Sequence, residues 1–260
     1  MSREHLHRKA LKKYIESTPG VRHTLMLPDE VVTVRQLDRV DPLDQPLNGV
    51  CAPCNNGWLN DVDSAAEPTV VALALRRRSH LRERECKRFA RWAFRTAVMR
   101  AHLDRKAKLE IDPELVAEFH RDGDVPEGVE VRVALTRFTP GIRTPGSNGQ
   151  VHAAQQEVES GTITIMGTIN VVTWTLGSLY VHVIVPSAGA TKSAAALAAE
   201  VDSVAGGSLA LVWPGAGNVS LSDGLTNDVM ARIGRPGHLM ADDELHDSDF
   251  ALPFVPGGEA

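Results

Sequence analysis

Between Glu83 and Lys106, apolar side chains return every three or four positions: Cys86, Phe89, Ala90, Ala93, Phe94, Ala97, Val98 and Ala101. That spacing lines one face of an α-helix, so it predicts a helix over 83–106 with a single buried stripe. Arg84, Lys87, Arg88, Arg91 and Arg95 fall on the opposite side and predict a basic ridge. Further on, Asp112-Pro113-Glu114 starts a short helix through about His120, with Pro at an early position where its missing N–H costs little. Val129–Phe138 alternates as a strand, and Val158–Asn170 and Val171–Val185 read as two or three strands ending at Pro186. Ala190–Val204 predicts an alanine-rich helix or connector, Ser208–Trp213 another strand, and Leu225–Ile233 a last helix. Thr69–Leu75 reads as a short buried helix. Thr139–Gln150, rich in Pro, Gly, Ser and Asn, reads as a mobile loop, and Gly234–Ala260 as an acidic, disordered tail.

Charge divides this pattern in two. Residues 1–108 hold 21 Lys and Arg against 13 Asp and Glu, a balance of +8, whereas residues 109–260 hold 7 against 20, a balance of −13. Such an asymmetry points the first part of the chain at a polyanion. The densest run, Arg76 to Lys108, carries 13 of the basic residues. A phosphate-tracking ridge and an ordinary solvated helix face both fit it. No stretch approaches the roughly 18 apolar residues of a membrane span, and no apolar segment follows the polar N-terminus, so neither a span nor a signal peptide is expected. At 260 residues the chain can bury one sizeable core or two small ones.

Two of the three cysteines sit in one motif, Cys51-Ala52-Pro53-Cys54-Asn55-Asn56-Gly57-Trp58. Two thiols three residues apart can aim both sulfurs at one soft metal ion. A redox pair and an inert structural pair remain alternatives. The redox pair calls for a strand feeding a helix that opens at the first thiol, and Asp41–Asn48 reads instead as a loop. The paucity of cysteine argues for a reducing cytoplasm rather than a disulfide framework. At the start of the chain, Glu4-His5 pairs a carboxylate with an imidazole. Such a pair can hold a divalent cation and take a proton from water, although on residue types alone it is an ordinary polar terminus. Cys86, inside the helix pattern, reads as a small buried hydrophobe. No phosphate-binding glycine loop and no Ser-His-Asp order stands out, and His152, His182, His238 and His246 are scattered.

The order Arg3-Glu4-His5-Leu6, then Cys51-x-x-Cys54-Asn55-Asn56-Gly57-Trp58-Leu59, then a long helix with Phe89-Ala90-Arg91-Trp92-Ala93, resembles the HNH-endonuclease-like proteins of phages and actinobacteria. A late strand ending Val212-Trp213-Pro214 before a short terminal helix fits as well, and the likeness covers most of the chain to about residue 235. The resemblance implies an α+β protein: a treble-clef or ββα-metal element packed on a long helix over 1–108, an antiparallel β-rich region over 109–235, and a tail over 236–260. It implies that His5 is the general base and that Glu4 and Asn55 hold Mg²⁺ or Mn²⁺. Cys51 and Cys54 fall on one knuckle of a structural zinc site, with His7 or His23 as candidates to complete it. DNA is the implied substrate, contacted by Arg84, Lys87, Arg88, Arg91 and Arg95. A homodimer is a further expectation, since cutting both strands calls for two sites.

The chain also departs from that pattern. A first CxxC ahead of Glu4-His5 is absent, and Arg8 replaces the usual proline three residues after the histidine. The middle Asn is expected nine residues before Asn55, but Asn48 lies seven before it. Four residues ahead of His5 read as too few for the first strand of the hairpin. That leaves two expectations: a longer working protein, or a copy that has lost the hairpin and binds nucleic acid or protein without catalysis.

Overall fold

Strict alternation along three strands builds the centre of the molecule. Odd-numbered Val131, Val133 and Leu135 align with Val181, Val183 and Val185 and with even-numbered Val172, Trp174 and Leu176 on one face of a sheet. Their neighbours Ala134, Ile169, Val171, Tyr180 and Ile184 fill the other face. A strand with both faces apolar must be covered twice, and this sheet is.

The computed structural model describes residues 2–7, 9–15, 21–26, 31–37, 41, 43, 46–103, 111–136, 146–156, 163–215 and 217–234. The predicted tail over 236–260 lies outside the described residues. Four strands precede the helices: β1 (Ser2–His5), β2 (Val21–Met26), β3 (Val31–Leu37) and β4 (Pro46–Val50), with a 3-10 turn over Lys9–Lys13. Next come α1 (Ala52–Cys54), α2 (Asn60–Ala74), β5 (His80–Leu81), α3 (Glu83–Leu103) and α4 (Pro113–Asp122). The chain continues through β6 (Glu130–Leu135), β7 (Gly146–Gln156), β8 (Ile163–Leu176), β9 (Leu179–Pro186), α5 (Thr191–Ala205), β10 (Ala210–Trp213), β11 (Val219–Ser220) and α6 (Asn227–Ile233). The main sheet is antiparallel with order β10-β6-β9-β8-β7, while β1-β4, β2-β3 and β5-β11 form three small pairs.

The α+β class is as the sequence predicts, and the helices α3, α4, α5 and α6 fall where expected. Asp112 caps α4, its carboxylate accepting the Glu114 N–H at 3.0 Å. Three elements differ. α2 runs unbroken through Pro68, well before the predicted Thr69, because its buried face (Val62, Ala66, Val70, Leu73) continues across the proline. The turn-prone residues 146–150, read as loop, begin the edge strand β7, where pairing to β8 overrides local preference. The hairpin break falls at Gly177-Ser178 rather than near residue 170. Gly177 has φ +57°, and a Cβ there would sit 2.6 Å from the Ala74 carbonyl oxygen, so only glycine fits the turn.

One cover of the sheet is α2, α3 and α4; the other is α5 and α6. The first cover joins the basic and acidic parts of the chain in one core. Trp92 of α3 meets Trp174 of β8 at 5.9 Å between ring centroids, and Phe94 meets Phe119 of α4 at 5.0 Å. Cys86 is buried, as read from its place in the stripe. Under the second cover, Arg132 of β6 donates twice to Asp202 of α5, at 2.9 and 3.0 Å, and also contacts Glu130. Beside it the buried His182 ring reaches the Ile233 carbonyl through Nε2 at 3.0 Å, tying α6 to the sheet.

Burial disfavours the charged ring of His182 and, despite its bond to Ile233 and with the Arg132 charge adding, lowers its pKa from 6.5 to about 4. The unfolded chain then binds this proton more readily than the folded one, so stability falls as pH drops from 6.5 towards about 4. We expect His182→Gln, which keeps a donor for Ile233, to flatten that fall by an amount of order 1–3 kcal/mol between about pH 7 and pH 4.5, read from urea midpoints. An unaltered pH dependence in the variant would rule this assignment out.

Candidate functional site

Glu4 and His5 lie on β1, a strand of four residues. It pairs antiparallel with β4, setting Ser2 opposite Val50, Arg3 opposite Asn48, Glu4 opposite Leu47 and His5 opposite Pro46. The expectation that so short a segment could not form a strand is therefore corrected. β1 needs no hairpin of its own, because its partner arrives after an insertion that contains the 3-10 turn and the β2-β3 ribbon. His5 ends its strand. The position nine residues before Asn55 is Pro46, which register places opposite His5, and proline offers no side-chain hydrogen bond there.

β4 leads straight into the cysteine motif. Cys51 caps α1, accepting the Cys54 N–H on its sulfur at 3.0 Å, and Asn55 N–H donates to the Cys51 carbonyl at 2.9 Å. The loop reading of the residues before Cys51 is corrected as well: a strand feeds the motif, which is the context that favours a redox pair. The two cysteines are joined as a disulfide, with Cα atoms 5.2 Å apart. Asn55 opens a π-helical turn, Asn55–Leu59, that kinks at Gly57 (φ −102°, ψ −117°) before α2 begins. Trp58, at the end of the motif, is a packing residue. Its ring stands edge-on to Phe119 at 5.3 Å and lies against His120 at 5.1 Å, docking the motif on α4.

Behind β1 sits a buried charge. Arg95, 1% exposed, donates Nη1–H to the Leu6 carbonyl at 2.7 Å and pairs with Asp63 of α2 at 3.3 Å. His7 is buried beside it, and burial together with the Arg95 and Arg100 charges lowers its pKa from 6.5 to about 3. A neutral ring is a competent metal ligand, yet the two arginines facing His7 repel a cation.

Arg95 is thus no part of a DNA-facing ridge, which corrects that reading. On the helical wheel it lies opposite the apolar stripe. The middle of α3, however, is enclosed on every side: Trp92, Phe94, Arg95 and Thr96 are all buried. The rest of the ridge weakens along the helix. Arg84 is exposed, Lys87 is exposed but engaged with Asp124 at 2.9 Å, and Arg88 is half-buried. Arg91 is half-buried against Gly123, its Nη2 3.3 Å from where a Cβ there would be. The residue that sequence reasoning missed is Asp63, while His7, read as a candidate zinc ligand, is buried beside Arg95. One signal pointed to enclosure: Trp92 lies off the apolar stripe, and a helix with large apolar groups on two sides is covered on both.

The donor chemistry treats the two metals differently. A carboxylate from Glu4 and an amide oxygen from Asn55 are the hard oxygen ligands that Mg²⁺ and Mn²⁺ take. A structural zinc does not fit the motif as it stands, because a disulfide has no thiolate to offer and only two cysteines are present. Among the described residues, no group of three or more His, Cys, Asp and Glu gathers as a metal cluster.

Truncating Arg95 would take its buried counter-charge from Asp63 and its donor from the Leu6 carbonyl. We expect Arg95→Met to cost about 3–5 kcal/mol in urea unfolding, while Arg88→Met stays within about 0.5 kcal/mol. Equal, small effects would mean that the buried pair holds nothing together.

Comparison with protein-family models, with curated proteins and with solved structures finds no match, so the assignment of these residues rests on their geometry and chemistry.

Proposed function

We propose that this protein is a metal-dependent endonuclease of the HNH type that hydrolyses DNA phosphodiester bonds. One observation carries the reading. The Glu4-His5 strand pairs with the strand that enters Cys51-x-x-Cys54-Asn55, and a helix follows, so residues some fifty positions apart assemble in the order strand, strand, helix. The register supports it too, since His5 falls at the end of its strand, where the resemblance expects the general base.

In this mechanism His5 accepts a proton from the attacking water. The bond from Arg95 to the Leu6 carbonyl fixes the backbone next to His5. Glu4 and Asn55 would hold a divalent cation, and such an ion would supply charge neutralisation for the phosphate and for the departing oxygen. Arg84, Lys87 and Arg88, at the open end of α3, contact the backbone of the substrate. Arg91 is too enclosed to contribute more than its edge, and Arg95 contributes through position alone.

A second reading is a binding module that kept the fold without catalysis. Pro46 opposite His5 favours it, because proline stands where the resemblance expects an asparagine. The Cys51–Cys54 disulfide also suits it, since paired sulfurs offer no thiolate to a metal. No helix among the described residues is long and apolar enough to cross a membrane, which suits either reading.

Nicking of supercoiled plasmid at low salt, with Mg²⁺ or Mn²⁺, separates the two. We expect metal-dependent nicking that falls by about 10²–10⁴-fold in His5→Ala, the usual range for removal of a positioned base. Nicking by wild type and His5→Ala at equal rates, or by neither, would reject the nuclease assignment.

A further inference from the structure

We infer that the connector between α2 and α3 forms a phosphodiester-binding groove, separate from the Glu4-His5 strand and from the ridge on α3. The choice of DNA as ligand rests on the nuclease reading; the groove itself does not. Arg76, Arg77 and Arg78 line it with Ser79, Ser222 and the carboxylate of Asp223, and its volume is about 520 Å³.

The way α2 ends is the first argument. The Arg77 N–H donates to the Ala72 carbonyl at 2.8 Å and the Arg76 N–H to Leu73 at 3.0 Å. That is the bond pattern of a helix closed by a left-handed residue, a place where glycine is strongly preferred. Here it is occupied by Arg76 at φ +53°, and among the described residues no other non-glycine has positive φ. A local rule broken without need marks a functional or a tying role. Arg76 does tie: it donates to the Thr136 carbonyl and reaches Asp223 at 3.8 Å. Both members of that pair are substantially solvent-exposed, with side chains 39% and 63% accessible, so the contact is weak and an incoming phosphate can displace Asp223.

The second argument is how the other two guanidiniums are disposed. Arg78 is locked by Glu85, which accepts from both its Nη atoms. Arg77, between the two tied arginines, is exposed and has no ion pair among the described residues. A free planar fork beside a loosely held one and two exposed hydroxyls is an arrangement that suits a tetrahedral anion. Arg82 and Arg84, both exposed, follow within six residues of Arg78, and Arg84 lines a separate pocket with Lys87 and Trp213. Phosphates along a duplex can meet basic residues at both places, which a lone anion would not use.

The test is fluorescence anisotropy on a labelled DNA duplex of about 30 base pairs, in EDTA so that no cleavage occurs, across about 50–200 mM salt. Arg76→Gly removes the charge while giving the left-handed position the residue it prefers, so Arg76→Gly/Arg77→Ala should fold normally. We expect the double variant to bind roughly tenfold more weakly and to lose about two units of the salt slope, one per phosphate contact. Lys192→Ala, on α5 across the sheet, should match wild type. An unchanged affinity and slope in the double variant, or no duplex retained by wild type at the lowest salt, would overturn the groove. Binding is read without metal, so absent nicking alongside the expected slope change rejects the nuclease and leaves the groove standing. Nicking with an unchanged slope does the reverse.

Discussion

A guanidinium with almost no contact with water has to be answered by charge and by hydrogen-bond acceptors, and Arg95 is answered from two directions. Asp63 of α2 supplies the charge and the Leu6 carbonyl an acceptor. Three segments far apart in sequence thereby share one bond network: the residue after β1, the start of α2 and the middle of α3. Desolvating such a pair brings little net stability, but separating it leaves a buried ion uncompensated. Its consequence is specificity of position. A four-residue strand contributes too few ladder bonds to hold itself, and the bond from Arg95 to Leu6 fixes where β1 stops. Any chemistry at Glu4 and His5 inherits its alignment from that contact.

The sheet explains why α3 is enclosed. With both faces of β6, β8 and β9 apolar, helices are required on each side, and α3 lies against the first face with its stripe. α2 and the segment after β1 then cover its back. That double cover turns the charge asymmetry of the chain into a statement about surfaces and not about separate cores. The basic residues cluster at the exposed end of the α2–α3 pair, and the core beneath them is shared with the acidic part.

Periodicity recovered the long regular elements, because a stripe at 3.6 or an alternation at two residues is a local signal. α3, α4, α5 and β9 were legible on that basis. What escaped was non-local. Residues 146–150 are turn-prone in isolation and become strand through β8, and Pro68 sits inside α2 because neighbouring apolar residues hold the helix. The same limit applies to the site. The motif and Glu4-His5 could be singled out by residue type, but their relation is a matter of register between β1 and β4. Arg95 looked like its ridge neighbours for the same reason: spacing reports the angle around a helix, not what covers each angle.

Two ends of one helix pair thus put arginine to opposite uses. Near Asp63 and Arg95 the charge is paired and dry, where the low local dielectric makes it a rigid fastening. Near Arg76 to Arg84 it is wet, loosely paired or free, and positioned by a backbone turn that glycine would make more cheaply. Arg76 and Arg78 have partners in Thr136 and Glu85, but exposed charge adds little to folding, so stability gives no reason for Arg77, Arg82 and Arg84 beside them. Association with an anion does. Pro46 and Leu47, the residues opposite His5 and Glu4, carry no charge, so on the proposed reading a substrate at β1 would be held from outside its own strands. Among the described residues, the exposed Arg77 in the connector at the far end of α2 is the charge placed for that proposed role.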